Sequence, residues 1–210
     1  MNFNWINKKN NKKLILFMNG WGMDESAVNH LEPTNFDVLE INDYRNINTN
    51  IELNFEEYNE KYLVAWSMGV YVSNFFKDYF KDFDKKIALS GTNKIIDNSF
   101  GIPVKIYNCT VKFFNIESAD KFIRSMFLND NKNFKINRSN DELKEELIAI
   151  QNLKLNYELK YDKAIIPMKD NIVPYKNQLN YWENTDTEIT QINSGHYIFN
   201  NFRAWQDIIC

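Results

Sequence analysis

Cysteine and histidine are both scarce in this chain of 210 residues. It contains two of each, and the cysteines, Cys109 and Cys210, lie far apart without a histidine or further cysteine nearby. Such a pair has the spacing of neither a disulfide framework nor a zinc site, so we expect two free thiols. The scarcity of histidine also means that any histidine-dependent catalysis can use only two positions.

Long apolar segments are absent as well. No run of about 18 to 20 apolar residues occurs, and residues 1–13 are rich in Asn and Lys without the apolar segment of a signal peptide. We therefore expect a cytoplasmic protein. The net charge of −3 gives no global reason to expect binding to nucleic acid or to an anionic membrane surface.

Enough apolar sequence is present, 44% of the chain, to build one hydrophobic core. Short apolar segments alternate with longer segments of helical periodicity, which predicts an α/β fold with a mostly parallel central sheet and crossover helices. Six segments have strand character, with a weaker seventh: residues 14–18, 36–41, 62–66, 87–90, 164–168 and 188–192, and residues 3–6. Three segments around them are predicted as helices: residues 67–80, 174–182 and 202–209.

The interval from residue 97 to residue 162 interrupts this alternation. Two helices are predicted in it, at residues 118–128 and 141–153, with no clear strand between them. We interpret the chain as a single domain in which residues 104–160, approximately, form an inserted helical lid.

A strand-to-helix turn with a serine at its centre is the sharpest local signal. Residues 63–70 read Leu-Val-Ala-Trp-Ser-Met-Gly-Val, so Ser67 directly follows an apolar strand, between the small residues Ala65 and Gly69. In a nucleophile elbow the serine is strained and exposed, and small neighbours let strand and helix pack closely. The pattern predicts that Ser67 is a nucleophile. The alternative is a serine that caps an ordinary crossover helix.

A serine nucleophile needs a base and an acid that follow it in the chain. His196 comes directly after the last predicted strand, where this fold provides its base, whereas His30 lies early in a polar stretch and is expected at the surface. Asp170 follows the preceding strand and is the predicted acid, although a solvated turn aspartate would give the same pattern. Asp162 and Asp186 precede strands and would lie at the opposite edge of the sheet.

Acyl transfer also requires donors for an oxyanion. The fold takes one from the backbone N–H after the nucleophile, here that of Met68, and one from the loop after an early strand. That loop reads Asn-Gly-Trp-Gly at residues 19–22, and we predict the Trp21 N–H as the second donor.

Five motifs in this order resemble one family: Asn19-Gly20-Trp21-Gly22-Met23-Asp24; Ala65-Trp66-Ser67-Met68-Gly69; Gly91-Thr92-Asn93 with Gly101-Ile102-Pro103; Asn177-Gln178 with Tyr181-Trp182; and Ser194-Gly195-His196-Tyr197-Ile198-Phe199. Together they resemble the BioG-type pimeloyl-[acyl-carrier protein] methyl ester esterases, which are α/β-hydrolases. The resemblance implies hydrolysis of a carrier-bound methyl ester in biotin biosynthesis by Ser67, His196 and Asp170, without a cofactor and with acyl carrier protein as partner.

A carrier protein is acidic, so its docking requires local positive charge. The predicted lid contains a candidate basic segment, consisting of Lys121, Arg124, Lys132, Lys135 and Arg138. A merely solvated lid surface would also be basic in this lysine-rich chain. Two other functions remain open at this stage: a thioesterase or general carboxylesterase with the same triad, and a non-catalytic binding module on a hydrolase scaffold.

Overall fold

A seven-stranded sheet organises the protein. The computed structural model describes residues 1–48, 54–128 and 136–210, and within them the strand order is β1-β3-β2-β4-β5-β6-β7. The strands are β1 (Asn2–Asn7), β2 (Lys13–Met18), β3 (Phe36–Asn42), β4 (Glu60–Trp66), β5 (Lys85–Leu89), β6 (Lys163–Pro167) and β7 (Glu188–Ile192). All strands except β1 run parallel to their neighbours, which confirms the predicted fold class.

The central strands are buried on both faces. Leu16 and Met18 of β2 belong to one hydrophobic cluster, whereas Ile15 and Phe17 belong to another, as alternation along a strand requires. This two-sided burial explains why these strands read as continuous apolar runs. The weaker predicted strand at residues 3–6 is β1, the antiparallel strand at one edge of the sheet.

The helix predicted at residues 67–80 is divided into three parts. They are α1 (Met68–Val72), a 3₁₀ segment (Ser73–Phe76) and α2 (Lys77–Phe80). Ser73 Oγ donates to the Val70 carbonyl, and Asn74 Nδ2 donates to the carbonyls of Val70 and Tyr71. These side chains compete for carbonyls that a regular helix would use, so the helix tightens there.

Among the described residues between β5 and β6, three helices are present, whereas two were predicted. They are α3 (Val104–Phe113), α4 (Ile116–Met126) and α5 (Asn140–Asn152). Capping boxes start α4 and α5, at Asn115 and Ser139. The sequence reading missed α3 because its apolar residues surround the helix, so that Ile106 and Phe113 are exposed and Tyr107 is buried. After β6 and β7 come α6 (Tyr175–Trp182) and α7 (Trp205–Ile209), where helix α7 begins three residues later than predicted.

The sheet topology brings distant parts of the chain to one edge. The order reverses at β2, since β3 lies on one side of it and β4 on the other, with Met18 paired to both Ile41 and Ala65. The loops after β2, β4, β6 and β7 therefore leave the same carboxyl edge of the sheet, where open α/β sheets bind ligands. Among the described residues, no helix has the length and apolar character needed to cross a membrane.

Candidate active site

Ser67 occupies a strained turn between β4 and α1. Its φ of 55° and ψ of −119° are sparsely populated for a residue with a Cβ. Neighbouring backbone leaves no room for larger residues, since a Cβ on Gly69 would clash with the Met18 carbonyl oxygen and one on Gly91 with the Ser67 carbonyl oxygen. The amide of Ser67 donates to the Leu89 carbonyl at 2.8 Å. The geometry is that of the elbow predicted from the sequence, and it differs from an N-cap because the Ser67 side chain makes no capping hydrogen bond.

The three predicted triad residues meet at the edge of the sheet. His196 Nε2 lies 2.9 Å from Ser67 Oγ, and His196 Nδ1 lies 2.8 Å from Asp170 Oδ2. All three residues are buried. With Nδ1–H donating to the carboxylate, Nε2 is left to accept the hydroxyl proton, which is the arrangement that activates a serine.

Asp170 accepts hydrogen bonds from groups other than the histidine, and these orient its carboxyl group. Its Oδ1 accepts the amides of Ile172 and Val173 at 2.7 and 2.9 Å. Its Oδ2 accepts Gln178 Nε2 at 2.9 Å, in addition to the histidine. The sequence reading gave Gln178 no role, although its position beside Tyr181 and Trp182 on the buried face of α6 could have indicated a polar group that faces inward.

The loop that carries His196 is fastened from two sides. The Trp66 indole N–H donates to the His196 carbonyl at 3.2 Å, and the Tyr197 amide donates to the Met126 carbonyl at 2.9 Å. A Cβ on Gly195 would lie 2.7 Å from that same Met126 oxygen. The end of α4 therefore packs directly against the histidine loop, and only glycine allows the approach.

In the loop after β2, residues 19–23, one backbone amide has no hydrogen-bond acceptor within the described residues. The Asn19 amide donates to the Ile41 carbonyl, and the Gly20 amide donates to Asn19 Oδ1. The Gly22 amide donates to Glu146 Oε2, and the Met23 amide donates to the Gly20 carbonyl. The amides of Trp21 and Met68 donate to no acceptor within the described residues. Met68 directly follows Ser67, and the loop that contains Trp21 begins at Asn19, whose carbonyl oxygen lies against Gly69 of the elbow. Free amides near the nucleophile are what an oxyanion hole requires.

Helix α5 contacts this loop through groups that the sequence reading did not identify. The Trp21 indole donates to the Leu143 carbonyl at 2.9 Å, and the Gly22 amide donates to Glu146 at 3.1 Å. Glu146 is completely buried. A signal was present, because Glu146 falls on the same helical face as Leu143, Leu147 and Ile150, which are all buried.

The predicted docking residues are separated by the structure. Lys121 and Arg124 are exposed on α4, while Lys132 and Lys135 lie outside the described residues. The expectation that Arg138 belongs to a docking surface is wrong, because its side chain is only 12% exposed and pairs with Glu146 and Asp43. Its charge is used inside the molecule.

Other candidate residues lie away from this site. His30 is exposed and its Nε2 lies 3.1 Å from the Phe199 carbonyl oxygen, while Cys109 and Cys210 are free and exposed. Within the part of the chain that the structure describes, no group of three or more His, Cys, Asp or Glu side chains is placed to hold a metal ion.

The reversed strand order, the strained serine turn and the site at the carboxyl edge define an α/β-hydrolase. The particular family follows from comparison with known proteins. A family model described as "Pimeloyl-ACP methyl esterase BioG" matches residues 1–208, and the chain belongs to this family. Its membership supports a carboxylesterase role.

Individual proteins are similar to this chain to different degrees. The crystal structure of selenomethionine BioG from Haemophilus influenzae is 30% identical, covers 99% of each chain and has a TM-score of 0.87. A malonyl-[acyl-carrier protein] O-methyltransferase of Bacteroides fragilis is 36% identical over 198 residues, which are 89% of this chain and 40% of that protein. The present chain thus spans less than half the length of that relative. Naproxen esterase of Bacillus subtilis, 12% identical with a TM-score of 0.58, shares the fold alone.

Proposed function

We propose that the protein hydrolyses the methyl ester of pimeloyl-[acyl-carrier protein] to methanol and the free carboxylate, as a step of biotin biosynthesis. The observation that carries the proposal is the Ser67-His196-Asp170 hydrogen-bond chain, together with the free amides of Trp21 and Met68, in a chain of the BioG family. No part of this reaction needs a cofactor, because attack, proton transfer and oxyanion stabilisation are all performed by groups of the chain.

In the first half-reaction Ser67 Oγ attacks the carbonyl carbon of the methyl ester while His196 Nε2 takes the hydroxyl proton. The negative charge that develops on the carbonyl oxygen is stabilised by the N–H groups of Trp21 and Met68. Asp170 keeps the imidazole oriented and stabilises its positive charge. The imidazolium then donates its proton to the leaving methoxide, which departs as methanol and leaves pimeloyl-carrier esterified to Ser67.

In the second half-reaction water replaces methanol. His196 removes a proton from the water, the hydroxide attacks the acyl-enzyme, and the returning proton releases Ser67. The carrier protein remains attached by its thioester at the other end of the acyl chain throughout. Selection between the methyl ester carbonyl and the thioester carbonyl thus depends on which end of the acyl group reaches Ser67.

Access to Ser67 requires movement, since Ser67 and His196 are 4% and 1% exposed. Helices α3, α4 and α5 cover the site from above: the Trp21 ring packs edge-on against Phe114 and Phe122 at 5.6 and 4.8 Å. We propose that residues 104–160 act as a lid inserted in a single domain. Opening would admit an acyl chain, and closing would exclude water from the oxyanion.

The proposed partner is acyl carrier protein, which would dock on the exposed basic residues of α4, Lys121 and Arg124. A relative bears on the substrate as well. The Bacteroides fragilis protein is named for methylating a carrier-bound acyl group, and a methyl ester on such a group is the bond that we propose this chain cleaves.

The test is hydrolysis of pimeloyl-[acyl-carrier protein] methyl ester by the wild type and Ser67→Ala, followed as a mobility shift of the carrier. We expect conversion by the wild type and a loss of at least about 10³-fold in the variant, with Ser73→Ala as a serine control that keeps activity. If the wild type spares this ester but cleaves small esters or acyl thioesters through Ser67, the proposed substrate is wrong. Absence of both hydrolysis and fluorophosphonate labelling in folded protein would instead identify a binding module.

A further inference from the structure

Glu146 is a completely buried carboxylate on α5 that the reaction scheme does not use. Its Oε2 accepts the Gly22 amide at 3.1 Å and Arg138 Nη1 at 2.5 Å, and its Oε1 accepts the Tyr44 amide at 2.8 Å. Burial of an ionised carboxylate is costly unless such donors compensate for lost water. A helix of the proposed lid therefore places a buried carboxyl group, paired with Arg138, against the loops of the sheet edge.

Both amides that Glu146 accepts belong to segments that shape the oxyanion loop, residues 19–23. Gly22 directly follows Trp21 and has a φ of +73°, which fixes where the chain turns. The Tyr44 hydroxyl donates to the carbonyl of Asn19 at 2.7 Å and to that of Ile41 at 3.1 Å. Glu146 thus holds the loop directly at one end and, through Tyr44, at the other.

Arg138 extends this connection to a third segment. It precedes α5, and its two terminal nitrogens bind Glu146 and Asp43 Oδ1, the latter at 3.0 Å. Asp43 has a φ of 59° and follows β3 directly. Helix α5, the loop after β2 and the loop after β3 are consequently joined by one charged cluster, consisting of Glu146, Arg138 and Asp43.

We infer that Glu146 is a positioning residue that aims the Trp21 amide at the oxyanion, so that the oxyanion hole is complete only while α5 is docked on the oxyanion loop. The inference rests on the proposed function, because it concerns the oxyanion of that reaction. Glu146 acts through the Gly22 and Tyr44 amides and touches no reacting atom. Docking of α5 on the oxyanion loop and correct placement of the Trp21 amide then occur together.

The first test is Glu146→Gln, with Glu145→Gln as the matched control on the same helix. A glutamine offers one acceptor oxygen, so either Gly22 or Tyr44 faces an amide donor. Glu145 is exposed, and within the described residues its carboxylate pairs with Arg45 alone, at 3.4 Å. We expect Glu146→Gln to lower kcat about ten- to a hundredfold with KM changed by less than about threefold, because misplaced oxyanion donors affect the transition state selectively. The control should stay within about twofold of wild type.

A second measurement, besides the rate of hydrolysis, distinguishes a positioning role of Glu146 from a general loss of structure in the variant. Titration with a fluorophosphonate gives the concentration of active sites, so that kcat is expressed per site. A trifluoromethyl ketone forms an oxyanion on Ser67, and the change in its affinity is compared with the change in KM. We expect the inhibitor to lose affinity in proportion to kcat. A variant that lowers only the fraction of competent sites or the melting temperature, with kcat per site and inhibitor affinity unchanged, would overturn the inference.

If Glu146→Gln fails to fold, the double variant Glu146→Leu with Arg138→Met removes both charges together and leaves no unpaired ion. It should fold, lower kcat per site and speed deuterium exchange in a peptide that contains residues 19–23. Retention of wild-type kcat and exchange by this variant contradicts the inference. A wild type that cleaves no ester refutes the proposed function and this inference together, whereas an active wild type with an equally active Glu146→Gln refutes the inference alone.

Discussion

The two halves of the active site are built differently. The triad half consists of Ser67, Asp170 and His196, which follow strands β4, β6 and β7 and meet because parallel strands end at one edge. The oxyanion half also begins at a strand, β2, but its loop is held by Glu146 from a helix more than a hundred residues further along the chain. The triad half is positioned by strand ends, with further contacts from the end of α4 to the His196 loop and from Gln178 of α6 to Asp170. The oxyanion loop is held by the sheet and by α5.

This difference distinguishes the residues that perform the proposed chemistry from the helices that are proposed to control access to the site. Because the triad residues follow strand ends, we expect the triad to depend less than the oxyanion loop on the position of α5. Because the proposed lid includes α5, the oxyanion loop would be completed only when that lid closes. The comparison predicts that damage to the triad half is severe for every substrate, whereas damage to the helical half depends on substrate or on conditions.

The largest effect is expected at the acid of the triad. Asp170→Asn leaves a group that cannot balance the imidazolium and favours the wrong histidine tautomer, so kcat should fall about 10⁴-fold near neutral pH for small and carrier-bound esters alike. Asp162→Asn is the matched control at the opposite end of β6, where the carboxylate accepts the Lys86 amide and pairs with the Lys86 ammonium. Steady-state kinetics on both esters make the comparison. Similar losses in the two variants would contradict the assignment of Asp170.

An intermediate effect is expected on the exposed face of α4. Reversal of charge by Lys121→Glu with Arg124→Glu should raise KM for the carrier-bound ester about tenfold and leave small esters unaffected, since an acidic partner is repelled. The control is Lys12→Glu with Lys81→Glu, which changes the net charge equally at exposed positions away from α4. Equal changes for both substrates, or equal changes in both variants, would argue against docking on α4.

The smallest effect concerns stability and its dependence on pH. Glu40 of β3 is buried and accepts Asn19 Nδ2 at 2.5 Å, and burial raises its pKa to about 7 from an ordinary value of 4.5. Between these two values the folded protein binds a proton that the unfolded chain has released, so the stabilising contribution is complete below about 4.5 and is lost as the pH rises through about 7.

Glu40→Gln removes this titration. The variant should gain stability relative to wild type as the pH rises through that window, by on the order of 3 kcal/mol at most. Urea unfolding across the window measures the gain, and the exposed Glu32→Gln should follow wild type throughout. A constant difference between Glu40→Gln and wild type at every pH would contradict a raised pKa. Glu40 contacts Asn19 from the sheet, whereas Glu146 contacts Gly22 from α5, so the two glutamates can be compared as supports of the oxyanion loop.

Local signals predicted more of the triad half than of the oxyanion half. Apolar runs buried on both faces identified the strands, and each strand end identified a site position, since one parallel sheet puts all these ends together. The helix α3 and the inward role of Arg138 escaped prediction. Ile106 and Phe113 are exposed in α3, which hides its periodicity, and the charge of Arg138 reads the same whether it faces solvent or Glu146.

The sequence by itself determined the fold class, the elbow at Ser67 and the positions of Asp170 and His196 along the chain, because strand patterns and tight turns are local properties of the residues. Only the tertiary structure decided that Gln178 supports Asp170 and that Glu146 and Arg138 hold the oxyanion loop. Those contacts join residues from separate elements, and a buried polar side chain takes its partner from whichever donor the packing of those elements brings within reach.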